Sequence, residues 1–287
     1  MAVTKKDTRS LCTPERTSLA LSQLRSKPNA DTAHFFRTSY RRLQTWLGTF
    51  DPSLDKREKR AIKYLDKVLR ACGKLRDTEL HFKMLKNLEV DDDQKSRAII
   101  ERALRKRRDK RKDAVIDTLQ VTTRLKDVWP TLKNLTTLSN GKKSPAGAAQ
   151  NGFVERALQN YVHYVHEHPA PTTETLHEYR LACKEFRYQA ELDGESAESI
   201  VKLFKDVQDA IGEWHDWQLL LELSKKELVR RPSTLLTKIV ETTAAKLTEA
   251  FRKVEEIEPQ LLSAASGAPR KPMHAVRNGG RRIAQAV

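Results

Sequence analysis

The sequence predicts an all-α protein built from long helices and made of two repeated units. Three observations carry this. Only ten glycines occur in 287 residues, and 38% hydrophobic content stands against 32% charged content, a balance that favours a soluble, helix-rich chain. Apolar residues recur at helical rather than strand spacing through most of the chain. One pattern of histidine, cations, glycine and aspartate occurs twice, which marks an internal repeat.

The elements follow in order. Thr13 is placed to cap a short helix over residues 13–26, with Pro14 at its first position, where no N–H is needed. Pro28 and Asn29 break it. Asp31 or Thr32 caps the next helix, which carries His34 and runs to Gly48. Asp51, Pro52 and Ser53 turn the chain. A helix over 54–72 follows, and Gly73 marks a break before another over 74–88. Asp91, Asp92 and Asp93 suit the positive end of a long helix reaching Trp129. On that helix Ile100, Leu104, Val115 and Leu119 keep the core side, while Arg97, Arg105, Arg108 and Lys112 share another face. Pro130 ends it. Residues 131–152 are rich in Lys, Ser, Gly, Ala and Asn and read as a linker between a first repeat at 13–130 and a second at 153–262. In the second repeat, helices are expected over 153–168, 173–193, 196–211, 213–230 and 233–262. Residues 263–287 are dominated by Gly, Pro and basic residues without an apolar period, and are expected to form a disordered basic tail.

The informative stretch is Thr173 to Asp193. Its apolar residues, Leu176, Tyr179, Ala182 or Cys183, Phe186 and Ala190, recur at helical spacing. At about 100° per residue, His177, Arg180, Lys184 and Arg187 fall at roughly 0°, 300°, 340° and 280°, so one side of one helix carries an imidazole and three cations. A solvated face normally mixes signs; a cationic stripe beside an apolar one points to an anion. The spacing of His177, Arg180 and Lys184 is repeated by His34, Arg37 and Arg41. Further on, Ala71-Cys72-Gly73-Lys74-Leu75-Arg76-Asp77 corresponds to Ala210-Ile211-Gly212-Glu213-Trp214-His215-Asp216, and Lys63 and Lys202 stand equally far before the two glycines. A merely solvated face has no reason to keep one pattern twice.

This duplicated pattern resembles the CHAD family, the α-helical histidine domain. Its repeat carries a histidine followed by basic residues three, seven, eight and ten positions on, and later a Leu-Gly-x-x-Arg-Asp segment. The first repeat supplies His34, Arg37, Arg41 and Arg42, with Gln44 at the tenth position. The second supplies His177, Arg180, Lys184 and Arg187, with Glu185 at the eighth. Only the first keeps Arg-Asp, at Arg76-Asp77; the second has His215-Asp216. The resemblance covers residues 13–262. It implies two four-helix-bundle repeats related by a pseudo-twofold axis, non-catalytic binding of inorganic polyphosphate, and no catalytic activity. His34 and His177 are then expected to line one shared basic concavity. The competing arrangement is a single elongated bundle with the stripes far apart.

Charge supports a polyanionic partner. The net charge is +16, but residues 1–130 hold +14 of it and residues 151–262 carry −6. The second stripe therefore keeps its cations against a negative background, as a ligand site requires. Arginine forks grip phosphate oxygens bidentately and lysine adds a mobile point charge. The residues expected to bind polyphosphate are His34, Arg37, Arg41, Arg42, Lys63, Arg105, Arg108 and Lys112 in the first repeat. In the second they are His177, Arg180, Lys184, Arg187, Lys202 and Lys205. The alternative is a helical nucleic-acid binder using the basic N-terminal half and the tail non-specifically, but no recognition motif or aromatic stacking set accompanies it.

Other chemistries fit less well. Asp31-x-x-His34 and Glu174-x-x-His177 have the carboxylate–histidine spacing of di-iron bundles, but the cations that follow each histidine repel a metal. His163, His166 and His168 read as a solvated helix end. Asp77 and Asp216 are expected near helix starts, orienting an arginine or capping a turn, rather than as an acid–base pair. Trp46, Trp214 and Trp217 read as core. No phosphate-cradling loop, nucleophile elbow or zinc cysteine set occurs, so no catalytic residue, metal or cofactor is expected. Cys12, Cys72 and Cys183, odd in number and scattered, read as reduced thiols. No apolar run spans a bilayer and no secretory signal opens the chain. The expected location is the cytoplasm, with polyphosphate granules.

Overall fold

The computed structural model describes residues 12–90, 93–140, 152–168, 170–229 and 231–267. Among them there is no strand. The helices are α1 (Thr13–Ser26), α2 (Ala30–Phe50), α3 (Lys56–Asn87), α4 (Gln94–Leu119), α5 (Thr122–Asn140), α6 (Phe153–Glu167), α7 (Leu176–Ala190), α8 (Glu198–Glu227) and α9 (Thr234–Gly267), with a 3₁₀ segment, Glu191–Ala197, between α7 and α8. None is long and apolar enough to cross a membrane.

Several boundaries differ from expectation for visible reasons. At α1 the cap is Cys12, without a side-chain bond, and Thr13 is already helical. The cap of α2 is Asn29, not Asp31 or Thr32. Its Oδ1 accepts from the Thr32 N–H at 2.9 Å, and Thr32 Oγ1 accepts from the Asn29 N–H at 3.2 Å. This is a reciprocal capping box with threonine in the usual glutamate place. The predicted breaks at Gly73 and Gly212 are absent: α3 and α8 run straight through both. A single helical glycine costs only about 1 kcal/mol against alanine, which long packed helices override.

The long helix predicted to reach Trp129 stops at Leu119, and α5 then carries on through Pro130 to Asn140. Proline has no N–H for the Lys126 carbonyl four residues back. Arg57 supplies the missing donor, with Nη2 at 3.1 Å from that carbonyl and Nε at 2.6 Å from Asp127. Residues 131–140, predicted as linker, are thus helical, and Leu132 and Leu135 are buried. Residues 141–151 lie outside the described residues. So does most of the predicted tail, 268–287, whereas 263–267 continue α9.

Packing repeats in both halves. Helix α1 packs on α2, α2 on α3, α4 closes on α3, and α5 on both α3 and α1; likewise α6 packs on α7, α7 on α8, and α9 closes on α8 and α6. Each half has its own apolar core, around Phe36, Tyr40 and Leu65 in one and Tyr161, Tyr179 and Phe204 in the other. A third core belongs to both: Leu85 and Leu88 of α3 and Ile100 and Leu104 of α4 meet Trp217, Leu220 and Leu223 of α8 and Leu235 and Ile239 of α9. This shared core joins the halves at one end, and α2 meets α7 elsewhere along the seam. Trp214 is buried in the second core and Trp46 packs half-buried on the first. Cys72 and Cys183 are buried, Cys12 is half-buried, and all three are free thiols.

Candidate functional site

The seam between α2–α3 and α7–α8 gathers the two stripes. Heptad-like spacing turns Ala33, Phe36, Tyr40 and Leu43 of α2 into its own core, so His34, Arg37 and Arg41 emerge beside that face. Leu176, Tyr179, Cys183 and Phe186 do the same for α7, leaving His177, Arg180 and Lys184 at the seam.

The glycines are seats. A Cβ on Gly73 stands 2.6 Å from Arg37 Nη1, and one on Gly212 stands 2.8 Å from Arg180 Nε. Each guanidinium therefore lies against the backbone of the next helix, Arg37 with Nη1 and Arg180 with Nε and Nη2, where a larger residue must displace it. Arg180 Nε donates to the Gln208 carbonyl at 3.2 Å, and Arg37 Nη1 faces Asp77 Oδ1 at 3.8 Å. Asp77 and Asp216 are mid-helix, not at helix starts as expected; of their two expected roles, orienting an arginine is the one the geometry allows. Burial raises both carboxyls, Asp216 to about 6, against the pull of Arg37, Arg76 and Arg180.

Lys184 is the electrostatic centre. Burial, then Arg180, Arg41, Arg37 and Arg187, push its ammonium down to about 7. Among the described residues no carboxylate lies within 4 Å of it. His34 and His177 both adjoin this charge, and both are lowered, chiefly by burial. His177 Nδ1 is buried without a partner. Its ring rests 4.2 Å from that of His215, which burial, His177 and Arg180 hold down to about 4. At neutral pH the unliganded seam therefore presents uncharged imidazoles among crowded cations.

Not every predicted residue joins. Arg42 binds Glu191 at 2.7 Å and braces α2 to the end of α7; Arg187, whose charge reaches Lys184, also pairs with Glu191, at 3.3 Å. Arg105 pairs with Glu101 at 3.0 Å. Arg108 pairs with Asp109 at 3.2 Å and lies over Phe82. Lys205 pairs with Asp209 at 2.6 Å. Lys63, Lys112 and Lys202 are exposed. Arg97 and Arg108 of α4 meet α3, at the Leu85 carbonyl, the Leu88 carbonyl and the Phe82 ring, while the α4 cations beside His81 of α3 are Arg107 and Arg111. Arg111 donates to the Lys74 carbonyl at 2.8 Å and to the Thr78 hydroxyl. They stand three and seven residues after buried Leu104, a spacing that could have found them. Arg76, which acts on His34, Asp77 and Asp216, was likewise legible in the Arg-Asp segment. Among the described residues no group of three His, Cys, Asp or Glu side chains could hold a metal ion.

The helical seam thus joins two arginines seated on glycines to Lys184, which lies among them. The chain belongs to the CHAD domain family, whose sequence profile matches residues 18–225. The crystal structure of the CHAD domain from the plant Ricinus communis is similar to it at TM-score 0.57 and 14% identity, over 91% of this chain and 90% of that one. PptA from Streptomyces chartreusis is similar at TM-score 0.56 and 14% identity, over 91% of this chain and 98% of that one. No curated protein sequence matches.

Proposed function

We propose that the seam binds inorganic polyphosphate and holds it without chemical turnover. The observation that carries this reading is Lys184, an ammonium surrounded by Arg37, Arg41, Arg180 and Arg187 and pushed down to about 7 by burial and their charge. Such crowding costs the unliganded protein stability and is relieved by a polyanion. Polyphosphate suits it because each unit offers acceptor oxygens and none offers a base edge to be read. The stripe carries guanidinium, ammonium and imidazole donors, and family membership points the same way. Location in a reducing cytoplasm at polyphosphate granules belongs to this reading.

Competition binding at near-physiological salt tests it. Long-chain polyphosphate is expected to remain bound when RNA or duplex DNA is added at equal phosphate concentration. Displacement by either nucleic acid establishes the alternative, a non-specific nucleic-acid binder whose affinity comes from net charge.

A further inference from the structure

Beside the seam, between α3, α4 and α8, lies a cavity of about 270 Å³, at the small end of ligand sites. Asp77 lines it and also faces Arg37, so the cavity adjoins the seam. Its cations are Arg107, Arg111 and Lys226. Arg111 donates only to neutral acceptors, the Lys74 carbonyl and the Thr78 hydroxyl. The ion pair of Arg107, to Glu227, is long at 3.7 Å. Lys226 has no carboxylate within 4 Å among the described residues. Two carboxylates, Asp77 and Glu222, oppose them, and Asp77 already answers Arg37.

His81 is the second observation. It lines the cavity, is 7% exposed, and its Nε2 is buried with no hydrogen-bond partner. Burial, Arg111 and Arg107 hold its imidazole down to about 4. An orphaned buried nitrogen carries the full cost of its desolvation unless a ligand or water meets it. Leu104, Leu219 and Leu223 wall the remainder, so the space suits a group that ends there.

We propose that this cavity is a second phosphate subsite that takes a terminal phosphate group, either the end of a polyphosphate chain lying in the seam or a free pyrophosphate. The subsite stands on its own donors; the chain-end occupant rests on the polyphosphate reading of the seam. A terminal phosphate carries the extra charge of a group whose second proton leaves near pH 6, which suits a cavity whose three cations outnumber its two carboxylates. It also brings oxygens that can meet His81.

Calorimetric titration of the full chain tests this with three probes: pyrophosphate, long-chain polyphosphate with free ends, and the same polymer with both ends blocked as esters. In an Arg107→Gln, Lys226→Gln variant, pyrophosphate affinity is expected to fall about tenfold or more. Preference for free-ended over blocked chains should vanish, and blocked-chain affinity should stay within about twofold. An Arg41→Gln, Lys184→Gln variant should show the reverse. By NMR, saturating pyrophosphate should raise the His81 imidazole pKa in the unmodified protein and not in the first variant. Absence of saturable pyrophosphate binding, or equal pyrophosphate affinity with and without Arg107 and Lys226, overturns the subsite. Pyrophosphate binding as expected with no preference for free-ended chains keeps the subsite and removes the chain-end occupant. Pyrophosphate binding as expected with no binding of blocked chains keeps the subsite and removes the polyphosphate reading of the seam.

Discussion

The two halves of the seam share a geometry and differ in charge. In each, an arginine three residues after a histidine lies across a glycine of the next helix, with an aspartate one turn on: Arg37, Gly73 and Asp77, and Arg180, Gly212 and Asp216. Around the first stand Arg70, Lys74 and Arg76; at the matching positions around the second stand Asp209, Glu213 and His215. The seat has one steric solution, because only glycine leaves room for a guanidinium at that distance. Surrounding charge has many solutions, since it need only sum to a positive field. The first half supplies that field. The second supplies Lys184, whose charge is held at the edge of ionisation by burial, by Arg180 of its own half and by Arg41 and Arg37 of the first. The halves are thus a matched pair of clamps in unequal electrostatic surroundings.

The largest effect should come from removing both clamps. Arg37, Arg41, Arg180 and Lys184 changed together to alanine are expected to weaken polyphosphate binding about a hundredfold or more. Charge-assisted hydrogen bonds are worth roughly 1.5–3 kcal/mol each, even allowing for non-additivity. A charge-matched control, alanine at exposed Lys59, Lys67, Lys95 and Lys225, should lose only a few-fold, as screened surface charges do. Both need unchanged circular dichroism and melting. Equal losses in two folded variants would make this a diffuse polyanion binder and erase the distinction between seam and surface.

The next effect sharpens the difference between halves. Lys184 in the free protein titrates at about 7, and a bound polyanion favours its ammonium. The contribution of Lys184 to affinity should therefore be full below pH 7 and fall as pH rises above it, by up to about tenfold per pH unit for one linked proton. Protonation of Asp216 below about 6 removes a negative charge and adds affinity in the same direction. Titrations from pH 5 to 9 should show both limbs; Lys184→Arg should flatten the upper and Asp216→Asn the lower. An unchanged upper limb in Lys184→Arg would place the proton elsewhere. The same depressed pKa has a stability consequence. Between about 7 and the ordinary lysine value the unfolded chain binds more protons, so the unliganded fold gains stability as pH rises through that range.

The smallest effect isolates the seats. Gly73→Ala and Gly212→Ala each improve helix propensity by up to about 1 kcal/mol but push a guanidinium off the backbone. Each should lower affinity several-fold with melting temperature unchanged or raised. Gly48→Ala, with open space at its Cβ, should stabilise without touching affinity. Loss of affinity in all three would tie binding to backbone flexibility rather than to the seats.

What the amino-acid sequence determines by itself is whatever repeats along one helix. Apolar period marks the helices, and the doubled His-Arg-Gly-Asp pattern marks both stripes and the family, because residues three and four apart share a face regardless of surroundings. His34, Arg37, Arg41, His177, Arg180 and Lys184 were legible for that reason. Tertiary structure decided which neighbour each face meets. Gly73 and Gly212 read as breaks because the guanidiniums that fill their missing side chains come from another helix. Pro130 read as a helix end because the donor that rescues the Lys126 carbonyl lies in Arg57, far upstream. Arg42 and Arg187 read as ligand groups, yet Glu191, 149 residues from Arg42, holds them both. In the run Arg105 to Lys112, period gives only an angle about the α4 axis. It is the packing of α4 against α3 and α8 that turns Arg107 and Arg111 inward and leaves Lys112 in water.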